Sequence, residues 1–286
     1  MPAALSLGPW AISVDQLWLI LAFIAALIAG HLASRGRAPK PTDTLFTLAL
    51  VGLVAARVVF VLRYWPEYAD HPLGVIDIRD GGFDTVGGLV GMAFYASLKV
   101  ARQPQLRRPL GAAMLAGALV WAATGGALSL MQSTPSSRPD VKLATLDGQT
   151  TTLDAIAAAN AHQPMVVNLW ASWCPPCRAE MPMLAAAQAH NPNVTFIFAN
   201  QGESARATRE FLSSESLHLN NVLLDSGRRL ARSVGSQAYP TTLFYNAAGQ
   251  LIDRHMGMLS RATLAHALEN VEAASARHSM KTEETE

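Results

Sequence analysis

The stretch NLWASWCPPCRAEMP, residues 168–182, contains the only two cysteines of the chain, Cys174 and Cys177. Two thiols cannot build a disulfide-rich scaffold, so they form either one bridge or one redox couple. The apolar run that ends at Ala171 predicts a buried strand, and Pro175 suits the first position of a helix. The two cysteines are therefore predicted at a strand-to-helix junction, with Cys174 at the helix N-terminus.

This predicted position gives Cys174 a particular electrostatic environment. The first turn of a helix has unpaired N–H groups and the positive end of the helix dipole, and both stabilise an anion. We therefore expect the pKa of the Cys174 thiol to be depressed, within the range of roughly 3.5–7.5 found at such sites, and its side chain to be exposed. Cys177 is expected one turn behind it. Pro175 and Pro176 are expected to stiffen the loop between the two thiols.

The motif predicts thiol–disulfide exchange. Reduced Cys174 would attack a substrate disulfide, and Cys177 would then attack the mixed disulfide and release the substrate as a dithiol. Half of a zinc site is one alternative, but structural zinc needs four ligands, and the chain has no third cysteine and no suitably spaced His–His pair. A static structural disulfide is another alternative. We expect no metal and no cofactor.

The surrounding sequence alternates between predicted strands and helices. Predicted strands lie at 165–171, 193–200 and 221–225, and predicted helices at 175–190, 203–214 and 227–234. Residues 241–257 predict a hairpin whose turn lies at Ala247 to Gly249. Ser260 is a helix cap, and the last helix is expected to end near Ala274.

The N-terminal half has a different composition, with four apolar runs that are long enough, or nearly so, to cross a membrane. Predicted transmembrane helices lie at 12–31, 44–62, 83–100 and 110–131. The third run is rich in glycine, and a buried or re-entrant segment is its alternative. No Lys or Arg precedes the first run, so we expect a retained helix rather than a signal peptide. Arg57, within the second run, is either paired at depth or extended to the interface.

The charged loops predict an orientation. Lys and Arg are concentrated in the first and third loops, at Arg35, Arg37, Lys40, Lys99, Arg102, Arg107 and Arg108. The positive-inside rule places these loops in the cytoplasm and both termini outside. We therefore expect a bacterial inner-membrane protein with a transmembrane domain at 1–131, a linker at 132–139, a periplasmic domain at 140–275 and a flexible tail at 276–286. The net charge of +1 gives no argument for nucleic-acid binding.

With WCPPC, Pro182, the YPTT stretch and Gly257, residues 138–275 resemble the thioredoxin superfamily, and more closely its membrane-anchored TlpA- and ResA-like branch. The resemblance implies an α/β fold in which a mixed central sheet carries helices on both faces, preceded here by the helical membrane domain. It also implies a cis peptide bond before Pro240. The site formed by Tyr239, Pro240 and Thr241 would then bind substrate through the backbone of Tyr239.

Two positions near the cysteines need separate interpretation. Many thioredoxins have a buried aspartate where this chain has Asn168, and asparagine cannot take a proton. Glu180, three residues after Cys177, is the candidate replacement, with a surface salt bridge as the alternative role. Trp170 is assigned to core packing and Trp173 to covering the bridge.

The stretch IDIRDGGFDTVGGLVGMAFYA resembles part of the prolipoprotein diacylglyceryl transferase family over residues 57–96. That family has a histidine where this chain has Val86, and the later helices and arginines of the family are absent. We therefore expect a degenerate membrane domain, with membrane lipids around it, rather than a working acyl transferase. Recurring small residues in this half predict close packing between helices.

These resemblances together imply a membrane-tethered thiol–disulfide oxidoreductase that reduces disulfides of periplasmic proteins. Its electrons would come from a DsbD- or CcdA-type transmembrane donor, because the membrane half contains no cysteine. A disulfide-forming oxidase is the enzymatic alternative. A lipid- or lipoprotein-binding membrane protein with a thioredoxin-like recognition arm is the alternative from another class.

Overall fold

The computed structural model describes residues 4–7, 10–34, 41–69, 72–126, 137–236 and 238–283. The chain divides into two compact units, residues 1–69 with 82–134 and residues 70–81 with 135–286. Most of the predicted linker at 132–139 and the end of the fourth apolar run lie outside the described residues, as do the last three residues of the predicted tail.

The first unit is helical. A short antiparallel hairpin, β1 (Ala4–Leu7) and β2 (Trp10–Ser13), precedes the first helix. The helices are α1 (Val14–Ser34), α2 (Pro41–Arg63), α3 (Trp65–Tyr68), α4 (Thr85–Arg102) and α5 (Arg107–Trp121), the last continuing as a π-helical segment at Ala122–Gly126. A short 3-10 segment at Pro104–Leu106 belongs to this unit, whereas those at Pro72–Val75 and Ile78–Asp80 belong to the second unit.

The prediction of four membrane spans is confirmed only in part. Four helices occupy the predicted places, but in the described part of the chain only two are long and apolar enough to cross a membrane, Leu17–Ser34 and Pro41–Arg63. Because α4 contains glycines and ends with Lys99 and Arg102, it is too polar to count as a candidate membrane span. The fifteen residues of α5 span only about 22 Å at 1.5 Å per residue.

Small residues bring α2 and α4 together, which confirms the prediction of close helix packing. A Cβ added at Gly87 would lie 2.6 Å from Cβ of Val59, and one added at Gly91 would collide with Ala55. Arg57, on the same helix as Val59, is buried and donates a hydrogen bond of 2.8 Å to the carbonyl of Gly82. Arg57 is therefore held inside the helical unit by this hydrogen bond, and its depth in a membrane stays a prediction.

The second unit is an α/β domain. Its strands are β3 (Leu143–Thr145), β4 (Thr150–Thr151), β5 (Met165–Trp170), β6 (Thr195–Gln201), β7 (Val222–Asp225), β8 (Thr241–Tyr245) and β9 (Leu251–Met256). Its helices are α6 (Leu153–Ala159), α7 (Pro175–His190), α8 (Ala205–Ser214), α9 (Arg229–Ser233) and α10 (Arg261–Glu283).

These strands form one mixed sheet in the order β4-β3-β7-β6-β5-β8-β9. The central pairs β5–β6 and β6–β7 are parallel, and the pairs β5–β8, β8–β9 and β3–β7 are antiparallel. Every residue of β5 and β6 is buried, as expected for central strands covered on both faces. The predicted mixed sheet is confirmed, and its centre positions the cysteine motif at the end of β5.

Two differences from the predicted elements have simple causes. The outer strands β3 and β4, of which β4 forms the edge of the sheet, were not predicted, because they are only three and two residues long and are only partly apolar. Ser260 does cap α10 through the N–H of Thr263, at 3.1 Å, but the helix continues to Glu283 rather than ending near Ala274. Residues 275–283 contain neither glycine nor proline, so nothing in their sequence stops the helix.

Candidate active site

The cysteine motif lies where β5 ends and α7 begins, as predicted. Cys174 and Cys177 are joined by a disulfide, and the N–H of Cys177 donates to Sγ of Cys174 at 3.3 Å. Cys174 is thus the N-cap of α7, in the position where a helix terminus stabilises negative charge. Pro175 and Pro176 occupy the first helical positions, where proline lacks no hydrogen bond that the helix needs.

The exposure of the two cysteines differs from the prediction in degree. Cys174 is the more accessible of the two, but only 5% of its surface is exposed, against 0% for Cys177. Both belong to the apolar cluster that joins α7 to the sheet and α10, which includes Trp170 and Phe198. The disulfide therefore borders the hydrophobic core instead of projecting from the surface.

The two tryptophans have different environments, and only that of Trp170 corresponds to the role assigned to it, packing in the core. Trp170 is fully buried and packs against Phe211, with ring centroids 5.3 Å apart. Trp173 is 58% exposed and meets the ring of Tyr239 edge-on at 6.1 Å. Trp173, the neighbour of Cys174 in the chain, therefore forms an aromatic surface together with Tyr239.

The peptide bond between Tyr239 and Pro240 is cis, as the resemblance implied. The carbonyl of Pro240 accepts the N–H of Gly257 at 2.9 Å, which ties the loop before β8 to the end of β9. Thr241 is fully buried, and its hydroxyl donates to the carbonyl of Ala238 at 2.7 Å. We therefore assign the Thr241 side chain to supporting this loop rather than to contacting a substrate.

Glu180 lies in the interior and not on the helix surface. It is 2% exposed, and its carboxylate accepts hydrogen bonds from Nδ2 of Asn168 at 2.8 Å and from the N–H of Leu259 at 2.9 Å. Both donors are neutral groups and the side chain is buried, so Glu180 does not have the alternative role of a surface salt bridge. Burial raises the pKa of Glu180 to about 7, although both hydrogen bonds act to lower it.

The asparagine beside Glu180 has spare hydrogen-bonding capacity. Nδ2 of Asn168 also donates to the hydroxyl of Thr242, at 3.0 Å, while its buried Oδ1 has no hydrogen-bond partner among the described residues. Rotation of the amide would turn Oδ1 towards Glu180, where it could accept a hydrogen bond from the O–H of a neutral carboxyl group. The pair can therefore accommodate both protonation states of Glu180, which is what a proton-exchanging group requires.

A second glutamate, not identified from the sequence, holds the loop before Cys174. Glu203 accepts hydrogen bonds from the N–H of Ser172 at 2.7 Å, from the Ser172 hydroxyl, and from Nδ2 of Asn200 at 2.6 Å. The only sequence signal was its place in a short polar segment directly after β6. Because Ser172 lies two residues before Cys174, this glutamate positions the active-site loop.

The chemistry available at the site is redox and acid–base chemistry of side chains. In the part of the chain that the structure describes, no group of three or more His, Cys, Asp or Glu side chains could hold a metal ion. The arrangement consists of a disulfide at a helix N-terminus, a buried carboxyl group whose pKa is raised to about 7, and an aromatic surface formed by Trp173 and Tyr239.

Two family models match the chain, one on each half. Residues 134–271 match the Redoxin family, and residues 2–126 match the prolipoprotein diacylglyceryl transferase family. The C-terminal half is therefore a redoxin, or thioredoxin-like, domain, as the CPPC stretch indicated. The N-terminal match confirms the resemblance found in the glycine-framed stretch.

Among curated proteins, the chain is similar to the phosphatidylglycerol–prolipoprotein diacylglyceryl transferase of Staphylococcus aureus, with 38% identity over 111 residues. That alignment covers 37% of this chain and 38% of the relative, so the chain spans well under half the length of the curated relatives it matches. Those relatives are named for a membrane lipid substrate, and the two long apolar helices lie in the matching half.

Among solved structures, the chain is similar to DsbF of MTB, with a TM-score of 0.43, 24% identity, and coverage of 48% of this chain and 99% of the other. It is also similar to a secreted Mycobacterium tuberculosis disulfide oxidoreductase described as homologous to E. coli DsbE, with a TM-score of 0.40 and 26% identity. That second match covers 46% of this chain and 95% of the other.

Proposed function

We propose that this protein is a membrane-tethered thiol–disulfide oxidoreductase whose redox-active pair is Cys174 and Cys177. The observation that carries the proposal is the disulfide at the N-terminus of α7, within a redoxin domain and close in the chain to a buried carboxyl group. A static disulfide would not need a neighbouring group that titrates near pH 7.

The proposed cycle begins with the reduced pair. The Cys174 thiolate attacks one sulfur of a substrate disulfide, forms a mixed disulfide, and expels the other substrate sulfur as a thiolate. Cys177 then loses its proton to Glu180, and its thiolate attacks Sγ of Cys174. This step releases the second substrate sulfur and restores the Cys174–Cys177 disulfide. Two electrons pass to the substrate, and the proton held by Glu180 neutralises a leaving thiolate.

The surface around the sulfurs has roles in this cycle. The backbone of Tyr239, before cis-Pro240, is proposed to pair with the extended substrate chain, and Trp173 is proposed to shield the mixed disulfide. Glu203 keeps the loop from Ser172 to Cys174 in place while the disulfide opens and closes. Pro175 and Pro176 restrict the change in that turn between the two redox states.

We propose that the domain faces the periplasm of a bacterial inner membrane and acts as a reductase on disulfides of periplasmic proteins. The concentration of Lys and Arg in the first and third loops supports this orientation. Sustained reduction then needs an outside electron source, and a DsbD- or CcdA-type membrane protein with its own dithiol fits that requirement. The membrane half cannot be the source, since it contains no cysteine.

The direction of electron flow is tested by the reduction potential. The full chain in detergent is equilibrated with defined dithiol buffers, and the fraction of reduced Cys174–Cys177 is measured by thiol labelling and mass spectrometry. A potential near or below about −200 mV would support the reductase, and one near about −120 mV would support the oxidase instead. A disulfide that stays closed at all buffer potentials would leave only a structural bridge.

A second candidate function rests on the membrane half. Its match to prolipoprotein diacylglyceryl transferases supports a lipid- or lipoprotein-binding domain, with the redoxin domain as a recognition arm. Acyl transfer itself is disfavoured, because Val86 stands where the family has a histidine. If a Cys174→Ser variant kept the full cellular phenotype of the wild type, this second function would replace the first.

A further inference from the structure

A cavity of about 450 Å³ adjoins the aromatic surface beside Cys174. Trp173 and Tyr239 form part of its wall, and Arg228 and Arg232 contribute two guanidinium groups. Because Trp173 directly precedes Cys174 in the chain, a substrate bound for disulfide exchange passes close to this cavity. Neither arginine has a role in the chemistry proposed above.

The backbone holds Arg228 in a defined place. Its φ of 52° lies in the left-handed region, and its N–H donates to the carbonyl of Asp225 at 2.9 Å. Its side chain lies over Gly202, where an added Cβ would be 2.9 Å from Nε of Arg228. A Cβ at that position would push the guanidinium group aside, so Gly202 leaves room for this arginine.

The two cations are not neutralised by ion pairs within the described residues. None of the side-chain ion pairs found there involves Arg228 or Arg232. Asp225 is the acidic group of this region, but it is 3% exposed, and its oxygens accept the N–H groups of Arg229 and Leu230 at 2.7 and 2.9 Å. Its carboxylate therefore makes its hydrogen bonds to the start of α9.

The pKa of Tyr239 also indicates that the two guanidinium groups lie close to the aromatic pair. Burial raises the pKa of the Tyr239 hydroxyl, the charges of Arg228 and Arg232 act to lower it, and the charge of Asp225 acts to raise it. Both arginines are thus close enough to influence the ring that contacts Trp173. A negative charge beside this aromatic pair would be attracted by these two guanidinium groups.

We propose that the cavity binds an acidic side chain of the protein substrate, so that the domain prefers disulfides flanked by aspartate or glutamate. This specificity rests on the proposed exchange function. A carboxylate matches the planar, two-pronged donor set of arginine, and the aromatic wall packs against the adjoining peptide. Arg228 and Arg232 are specificity-determining residues and take no part in the electron transfer.

The test uses the full chain in detergent and short synthetic peptides, each with one intramolecular disulfide. The peptides differ only at the residues flanking the cysteines, which are glutamate, glutamine or lysine, and glutathione disulfide is measured alongside. The readout is kcat/KM for peptide reduction by the pre-reduced protein. We expect the glutamate peptide to exceed the glutamine peptide by about tenfold, from two exposed ion pairs, and the ratio to shrink at high salt.

Variants locate the preference. In Arg228→Gln/Arg232→Gln the glutamate-to-glutamine ratio should fall to about one, and in Arg228→Glu/Arg232→Glu the lysine peptide should become the better substrate. Arg229→Gln is the matched control, because this neighbouring exposed arginine does not line the cavity. It should keep the wild-type ratio.

A wild-type glutamate-to-glutamine ratio of kcat/KM near one would overturn the proposal. So would a fall of this ratio in Arg229→Gln as large as in the Arg228→Gln/Arg232→Gln variant. A third contradicting result is a kcat/KM for glutathione disulfide equal to that for the glutamate peptide. The last result would assign the cavity to small anionic disulfides. Failure of the proposed function looks different, since no peptide would then be reduced, including the glutamine peptide.

Discussion

Glu180 makes the stability of the redoxin domain depend on pH in a way that can be worked out from its surroundings. A free glutamate loses its proton near pH 4.5, whereas buried Glu180 keeps its proton up to about pH 7. Between these values the folded state binds more protons than the unfolded state. The free energy of unfolding therefore falls as pH rises through this window, by about 3 kcal/mol at 1.36 kcal/mol per pKa unit, and this group adds no further change above it.

The substitution Glu180→Gln removes this dependence. Glutamine stays neutral, and the site can accept it. Its Oε1 takes the N–H of Leu259, and its amide donates to Oδ1 of Asn168 once that side chain rotates. We expect the variant to be more stable than the wild type by up to about 3 kcal/mol at pH 8, and to differ little at pH 4.5. Because glutamine cannot accept a proton, resolution of the mixed disulfide should slow by about a hundredfold or more.

The assay is pulse proteolysis of the oxidised full chain across a urea series, at several pH values between 4 and 8. Glu215→Gln is the control, because Glu215 is exposed and pairs with Arg178 at 2.7 Å. This control should change the free energy of unfolding by less than about 1 kcal/mol. If Glu180→Gln and wild type showed the same pH dependence, the account of Glu180 as a neutral-pH acid would be refuted.

Three further predictions use other parts of the molecule. Glu203→Gln should destabilise the domain by about 1–3 kcal/mol and speed hydrogen exchange of the Ser172 amide, because the single oxygen of glutamine cannot accept hydrogen bonds from all three donors. Unchanged exchange of this amide would contradict the positioning role of Glu203. Phe198→Ala, at a fully buried position of β6, should cost about 3–5 kcal/mol in the free energy of unfolding measured by the same proteolysis assay, and a cost below 1 kcal/mol would be inconsistent with a packed core there. A membrane-impermeant maleimide should label reduced Cys174 in intact spheroplasts, and labelling only after lysis would place the domain in the cytoplasm.

Local signals were sufficient for the elements that carry the redox pair. The helix predicted at 175–190 matches α7 (Pro175–His190), because proline at a helix start and the preceding apolar run are both local features. The hairpin turn was also predicted correctly, and Gly249 adopts a φ of 80° there. The short strands β3 and β4 were missed because neither has an apolar run of its own and β3 is placed by a long-range pairing with β7.

In the candidate site, too, local features could be predicted from the sequence and long-range contacts could not. The candidate role of Glu180 could be proposed from its spacing after Cys177 on one helix, but its burial and its contact with Leu259, far along the chain, could not. Glu203 was missed because its contact with Ser172 depends on how two loops meet at the end of the sheet. The exposure predicted for Cys174 was too large, because the helix-terminus argument contains no information about the core beneath it.

The most direct measurement of the central claim is the capture of a mixed disulfide. Full-length Cys177→Ser protein is mixed with a disulfide-containing protein substrate, quenched with acid, and analysed by non-reducing mass spectrometry. We predict a covalent adduct at Cys174 that reducing agent releases, and none with Cys174→Ser. Absence of any adduct at Cys174 would contradict the assignment of this pair to disulfide exchange.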